Sequence, residues 1–390
     1  MTKSLYFPLF ALLLLASCVN DDKYTWDEDF ADRTATDTIR VGIAYNGSSV
    51  VVTGDDHGFV TANGADVTVN SATNKFLQLV LSGTTTNGSL LIYSWKKLGV
   101  VLNNVSITNP HGPAVNNQCG KSFHVSTAPG SVNTLTDGTS YAVVCNAKGD
   151  TIDQKGTLFS EGQIYFGGSG TLVVNGRGKN GIASDDYVVV EGGTISVNVA
   201  PTGTNGIKVN DGFTILGGTL NIGVAADGAR GIKNDARTLI AGGTTTITTT
   251  GDCLIERQQA GYGTSATADE VVDTTSCAGI RCDSLFTMTA GTLLITSTGD
   301  GGKGINCSEN VEFSGGTLVV QTTGSNDVGK PKAIKSDTGI IVSGGSFKAT
   351  CVKSWALDNG VDSDEPSDRL TIKGTPTTRI VQKRNVFIEY

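Results

Sequence analysis

Two sets of charged side chains recur at fixed offsets through the middle of this chain. Lys208, Lys233, Arg281 and Lys335 each lie two positions past the residue that opens a Gly-Ile or Ala-Ile pair, with Ala183 and Asn306 in the same place in the other copies. Four positions past it stand Asp185, Asn210, Asp235, Asp283, Ser308 and Asp337. Evenly spaced cations suit a linear polyanion, where many weak contacts add by multivalency. Rows of carboxylates offer the hard oxygen ligands that calcium requires, about six to eight of them. Asp185, Asp235, Asp283 and Asp337 are candidates on this face, and Asp227, Asp252 and Asp300 on a neighbouring corner. A solvated face competes with both readings, because alternating charge keeps an exposed sheet soluble and blunts its edges.

The elements that would position these groups follow from the repeat. Copies begin at Gly181, Gly206, Gly231, Gly279, Gly304 and Ala333, at steps of 25, 25, 48, 25 and 29 residues. Eleven residues into each copy comes a small pair, from Gly192-Gly193 to Gly344-Gly345. A fixed period in this range indicates stacked supersecondary units. Around the small pair, apolar residues alternate: Val188 and Val190, then Ile195 and Val197; Phe213 and Ile215, then Leu220 and Ile222. Period two over short runs predicts half-buried strands, and the glycine pair supplies the positive φ of a sharp corner. The expected fold is all-β: a parallel β-helix whose coils pair about 4.8 Å apart, with Ile182, Ile207, Ile232, Ile280, Ile305 and Ile334 filling its core. The Ile is inward, so the two charged sets face outward as neighbouring columns.

The flanks read differently. Residues 1–17 form a leader: Lys3, then an apolar run from Leu5 to Ala16 too short to span a bilayer. It ends in Leu15-Ala16-Ser17-Cys18, which resembles the bacterial lipobox, and this implies lipidation of Cys18. Residues 18–38 are polar and acidic and read as a tether; an acidic run after the lipidated Cys resembles the surface-export signal of Bacteroidetes lipoproteins. The expected location is therefore the outer membrane, on the cell surface, with outer-membrane lipid as one partner. Residues 39–390 read as a single β-helix domain: an N-terminal cap region over 39–110, coils over 111–355 and a C-terminal cap over 356–390. A net charge of −8 excludes general binding to nucleic acid or anionic membrane.

Asn103-Asn104-Val105-Ser106-Ile107-Thr108-Asn109, then Gly112-Pro113-Ala114-Val115, then Asn133-Thr134-Leu135-Thr136-Asp137-Gly138 precede the Gly-Ile coils in that order. Together they resemble the clostridial carbohydrate-binding β-helix family, over residues 39 to 350. The resemblance implies a right-handed helix shaped like pectate lyases, calcium held along it, and binding of plant polysaccharides such as polygalacturonate and cellulose without established lyase activity. The chain departs from that family in one respect. Asp usually precedes the family's Gly-Ile, whereas Asn180, Asn205, Arg230, Ala278, Lys303 and Lys332 stand there, and only Asp252 keeps the acid, in what reads as a degenerate coil filling the long step.

Catalysis is less marked. A uronate β-elimination needs a base and a counter-charge for the carboxylate; Lys208, Lys233, Arg281 and Lys335 are all eligible and none stands out. His57, His111 and His124 show no metal spacing. Cys282 and Cys307 fall at one position of adjacent coils, where a disulfide or a packed pair of thiols both fit. Asp358 to Glu365 is the densest acidic run and reads as a solvated loop or a metal loop. Tyr262, within an insertion over 256–275, and Trp95 and Trp355 offer rings that could stack on a sugar or pack at an end. The expected function is polysaccharide binding, with acidic pectin first. A lyase of the same shape and an adhesion protein with a protein partner are the alternatives.

Overall fold

The computed structural model describes residues 37–257 and 271–390. The leader, Cys18, nearly all of the tether, and Tyr262 with most of its insertion lie outside the described residues.

The described chain is a right-handed parallel β-helix with antiparallel sheets at both ends. One wall is a twelve-stranded sheet; the other walls join into a 21-stranded one. They join because long strands such as Thr238–Thr249 and Phe286–Ser297 bend through the corner at the small pair and belong to two walls. In the twelve-stranded wall the expected isoleucines pair in register from Ile182 to Ile334. The ladder extends past both ends of the repeat, through Leu158, Val115, Leu90 and Val67 upstream and to Leu357 downstream. Each of these side chains is at most 2% exposed. Burying one aliphatic side chain is worth roughly 1.5–3 kcal/mol, so every coil contributes a similar increment and no single centre holds the fold.

The two kinds of glycine do different work. The second residue of each small pair has the positive φ the corner needs, 66° at Gly243 and 82° at Gly291 and Gly316. The opening glycine has an ordinary φ and is required by proximity instead. A Cβ on Gly231 would lie 2.4 Å from Ile247 Cγ2 and 2.5 Å from the Gly279 carbonyl oxygen. Gly181, Gly206, Gly279 and Gly304 meet Val197, Ile222, Ile295 and Val320 in the same way. Each is the apolar side chain sixteen residues on, across the core of the same coil.

Two readings of the sequence change. Ile232 pairs directly with Ile280, and Arg230 with Ala278, so no coil fills the long step. The residues around Asp252 instead leave the helix as an antiparallel hairpin, Leu254–Arg257 against Val271–Thr275. Parallel pairing also reaches into the stretch 39–110: Asp66–Ser71 pairs with Ser89–Ser94, and Phe76–Thr85 with Leu98–Thr108. Antiparallel pairing at that end is confined to Thr38–Asn46 with Ser49–Thr53 and Val60–Asn63 with Asp66–Ser71. At the far end Asn385–Glu389 runs antiparallel to Ser346–Cys351 and closes the open edge.

Gly231→Ala is expected to cost about 1–3 kcal/mol by overpacking, and Ile280→Ala about 2–5 kcal/mol by leaving a cavity. Urea unfolding of each variant against the parent checks both; a neutral Gly231→Ala would remove close approach as the reason for that glycine.

Candidate functional site

The outward face of the twelve-stranded wall carries one continuous file. Residues one past the core ladder pair in the order Thr68, Leu91, Asn116, Phe159, Ala183, Lys208, Lys233, Arg281, Asn306, Lys335 and Asp358. The four predicted cations therefore share one side of the molecule. They do not stand as bare charges. Lys233 Nζ lies 3.6 Å from Asp235, Arg281 Nη2 lies 2.8 Å from Asp283, and Lys335 bonds Asp337. Each cation thus meets the acid of its own coil. Lys208 Nζ donates instead to Asn210 Oδ1 at 3.2 Å, and it has no acid within ion-pair range among the described residues.

The corner aspartates form a separate chain. Asp227 Oδ1 accepts from the Asp252 backbone N–H at 2.9 Å, and Asp252 Oδ1 from that of Asp300 at 2.8 Å. Asp300 Oδ1 accepts from Ser325 N–H at 3.0 Å. These carboxylates staple successive corners, and Asp252 serves one of them although the coil it was expected to open does not exist.

One group of acids comes together closely enough to hold a metal ion. Carboxylate oxygens of Asp153, Glu161 and Asp185 lie within 4.8 Å of one another. Asp185 is a predicted candidate; the other two were not foreseen. Glu161 follows Ser160, which pairs with Ser184, so it occupies the place of Asp185 one coil upstream. Extending the register past Thr157-Leu158 would have found it. Asp153 had no such signal: it arrives on the non-repeating loop 139–155, which crosses the face. Asn116 and Gln118 donate to its carbonyl at 3.1 and 2.9 Å, and Lys179 and Asn180 hold the next two carbonyls, each at 2.6 Å. Lys155 of the loop lies over the Phe159 ring, and Phe159 and Ala183 are buried where the alternation alone would leave them exposed.

Lys155, on the same loop, is the counter-charge of this group. Its ammonium lies 2.7 Å from Asp153 and also bonds Asp185. Burial alone would lower its pKa, but the two carboxylates outweigh that and raise it. Glu161 is left in surplus. Burial first, then Asp185 and Asp153, push its carboxyl above the usual range. The donor set is hard oxygen, of the kind calcium requires, and offers three carboxylates. The position a cation would take between Asp153 and Asp185 is where the ammonium sits.

The remaining candidates are distributed elsewhere. His124 is buried and stacks on Tyr165 with centroids 5.0 Å apart; His57 stacks on Phe59. Arg369 and Lys383 both lie over the Trp355 ring, at 4.1 and 4.7 Å from its centroid. Trp95 is 77% exposed. Cys282 and Cys307 are free thiols in the core with their sulfurs 3.1 Å apart. Lys303 is pushed down to about 8, mainly by burial. It lies on the Ile305 side of its strand, off the face that carries Lys208. In Asn133-Thr134-Leu135-Thr136-Asp137-Gly138 the polar residues are buried staples: Asn133 accepts from Val105 N–H at 3.0 Å, and Asp137 from Arg177 N–H at 2.6 Å.

The sequence matches the family model described as carbohydrate-binding domain-containing protein over residues 63–348. The chain belongs to that family. It is a carbohydrate-binding β-solenoid. Among solved structures it is similar to the polysaccharide lyase-like protein from C. thermocellum, seen as a gadolinium derivative, with 22% identity and a TM-score of 0.54. That match covers 71% of this chain and 97% of the other, and at such identity it shows the shared fold. No curated protein matches the sequence.

Glu161→Gln is expected to stabilise the metal-free protein at pH 7. A carboxyl raised on folding contributes stability below its unfolded pKa and loses it as pH rises through the folded value. The variant should therefore melt a few degrees higher at pH 7, with the gap closing below pH 4, in paired thermal scans across that range.

Proposed function

We propose that this carbohydrate-binding protein holds acidic plant polysaccharide, polygalacturonate first, along the file Lys208, Lys233, Arg281 and Lys335, and that it does so without cleaving it. The observation that carries the reading is the register itself. Adjacent coils repeat a cation about every 4.8 Å, on the order of one sugar unit, along an open face. The ion pairs on this face do not oppose it. Exposed pairs are worth about 0–1 kcal/mol each, so a uronate carboxylate exchanges for Asp235, Asp283 or Asp337 at little cost. Lys208, with a neutral partner, needs no exchange and should be the strongest single contact. Binding by several such contacts is weak per coil and adds along the chain.

Calcium fits the upstream end of this face. Asp153, Glu161 and Asp185 would hold it, and its charge would relieve the surplus carboxylate at Glu161. Lys155 must give way for that to happen, so the site should load weakly and most readily at high ionic calcium. A bound calcium would add positive charge beside the first coils of the file. Anchoring belongs to the same reading: the 1–17 leader and Cys18 support a lipid-anchored protein displayed on the outer membrane, with 18–38 as its tether. Palmitate labelling that is lost in Cys18→Ala tests this.

In gel retardation with polygalacturonate, Lys208→Ala is expected to weaken retention more than any other single change in the file. Lys233→Ala with Lys335→Ala should weaken it about tenfold, each contact contributing a fraction of the total. Unchanged retention in both variants would remove the file as the site, and a rise in unsaturated-uronate absorbance would replace binding by lysis. Calcium should raise the melting temperature of the parent and leave Asp153→Asn with Glu161→Gln unmoved; an equal rise in both would place the ion elsewhere.

A further inference from the structure

The upstream end of the same wall has a different chemistry. Along the strand Ser89–Ser94, Leu90 and Ile92 are buried, while Leu91 and Tyr93 turn outward. The strand ends at Ser94, and Trp95 follows in a bend, where its N–H still donates to the Ser71 carbonyl of the preceding coil at 3.3 Å. Leu91 and Tyr93 stand about 6.6 Å apart on the strand, and the bend after them carries an indole that is 77% exposed, so the three make one short stripe. Small polar groups border it. Thr68 and Asn70 pair with Leu91 and Tyr93 from one side, and Asn116 pairs with Leu91 from the other. At the Leu91 end the loop 139–155 leans over and encloses a groove of about 290 Å³, with Ala142, Val144 and Ile152 overhanging Ser89 and Asn116.

Asp66 is the one carboxylate lining this groove, and no lysine or arginine lines it. Asp66 Oδ1 accepts from Ser89 Oγ at 2.8 Å, which leaves its second oxygen for a hydroxyl pair on a ligand. A uronate brought here meets like charge with no cation to offset it. A neutral sugar meets apolar and aromatic side chains for its C–H face and hydroxyl and amide groups for its rim. Rigid rings with a polar edge suit such a ligand because they bury area at little conformational cost. The loop also lies between the two regions: Lys155 sits over the Phe159 ring, 5.4 Å from its centroid, and Phe159 stands between Asn116 and Ala183 in the file that leads to Lys208.

We propose that the Leu91–Tyr93–Trp95 stripe and the Asp66–Ser89 groove form a second saccharide site, which takes a short, flat, neutral glycan segment laid along the strand Ser89–Ser94. Asp66 is level with Ser89, and the six residues from there to Trp95 span at most about 20 Å, room for roughly four pyranose units. The site rests on the carbohydrate-binding family of the chain and is independent of the cation file, whose ligand is anionic.

The test titrates the full chain with cellohexaose, xylohexaose and trigalacturonate, following tryptophan fluorescence and heat. At least one neutral hexasaccharide should bind and shift the emission, and trigalacturonate in excess should not displace it. Trp95→Ala should weaken that binding about tenfold or more, as expected of a central aromatic anchor, and Leu91→Glu should do so while circular dichroism stays that of the parent. The proposal falls if neither neutral sugar binds, if Trp95→Ala binds like the parent, or if trigalacturonate competes. None of those results bears on polygalacturonate retention by the lysines, so the two sites fail or stand separately.

Discussion

The molecule depends on the register of parallel coils. Backbone pairing alone would allow one coil to slide against the next, and a slip of one residue would turn every inward side chain outward. What prevents it here is the conjunction of a stacked aliphatic column and an opening glycine that seats against it. Ile232 stacks between Ile207 and Ile280, and Gly231 admits Ile247 across the core. Neither could shift alone without burying a polar group or forcing a clash. Everything on the outer face inherits this registration, including the alignment of lysines that no local interaction brings together.

That dependence explains how far the sequence could be read. Fold, core column, corners with positive φ and the outward file from Lys208 to Lys335 all follow from counting, because each is a repeated local fact. The reading stopped where the letters changed but the geometry did not. Thr157-Leu158 takes the place of Gly-Ile and hid both Glu161 and the ladder above it, down to Val67. It overran where letters suggested a coil that the chain does not make: Asp252 keeps the family's acid and its corner hydrogen bond, yet the chain leaves the helix directly afterwards. The pairing of cations with acids two residues on was implicit in the pattern, since both point the same way from one strand end. The acidic group was not, because Asp153 reaches it on a loop with no period.

That loop divides the outer face by chemistry. Upstream of it the file reads Thr68, Leu91 and Asn116; downstream it reads Lys208, Lys233 and Arg281. The divider is itself ionic, three carboxylates around one ammonium, and it is anchored to coils on both sides through Asn116, Gln118, Lys179 and Asn180. Placing charges in this crossing costs desolvation, visible in the raised Glu161. A purely structural strap would be better made of apolar side chains. Glu161, at the end of the strand beneath the loop, is the acid of this group that forms no ion pair among the described residues.

A rigid solenoid suits this kind of binding for a reason that is thermodynamic. In the proposed binding, Lys233, Arg281 and Lys335, each already paired with its own aspartate, would gain little from one ligand carboxylate, and a flexible surface would lose that gain in ordering its side chains. Here the backbone has fixed the spacing before any ligand arrives, and the aspartates hold the cations near the positions from which they exchange. The second and later contacts then cost little beyond the first. The same logic sets a limit. Asn306 interrupts the file between Arg281 and Lys335, so the run of cations on adjacent coils is Lys208, Lys233 and Arg281. A ligand long enough to reach Lys335 must cross one neutral coil. The contribution of Lys335 is therefore tied to chain length in a way that the contribution of Lys208 is not, and a series of oligomers of increasing length would separate them by where affinity rises.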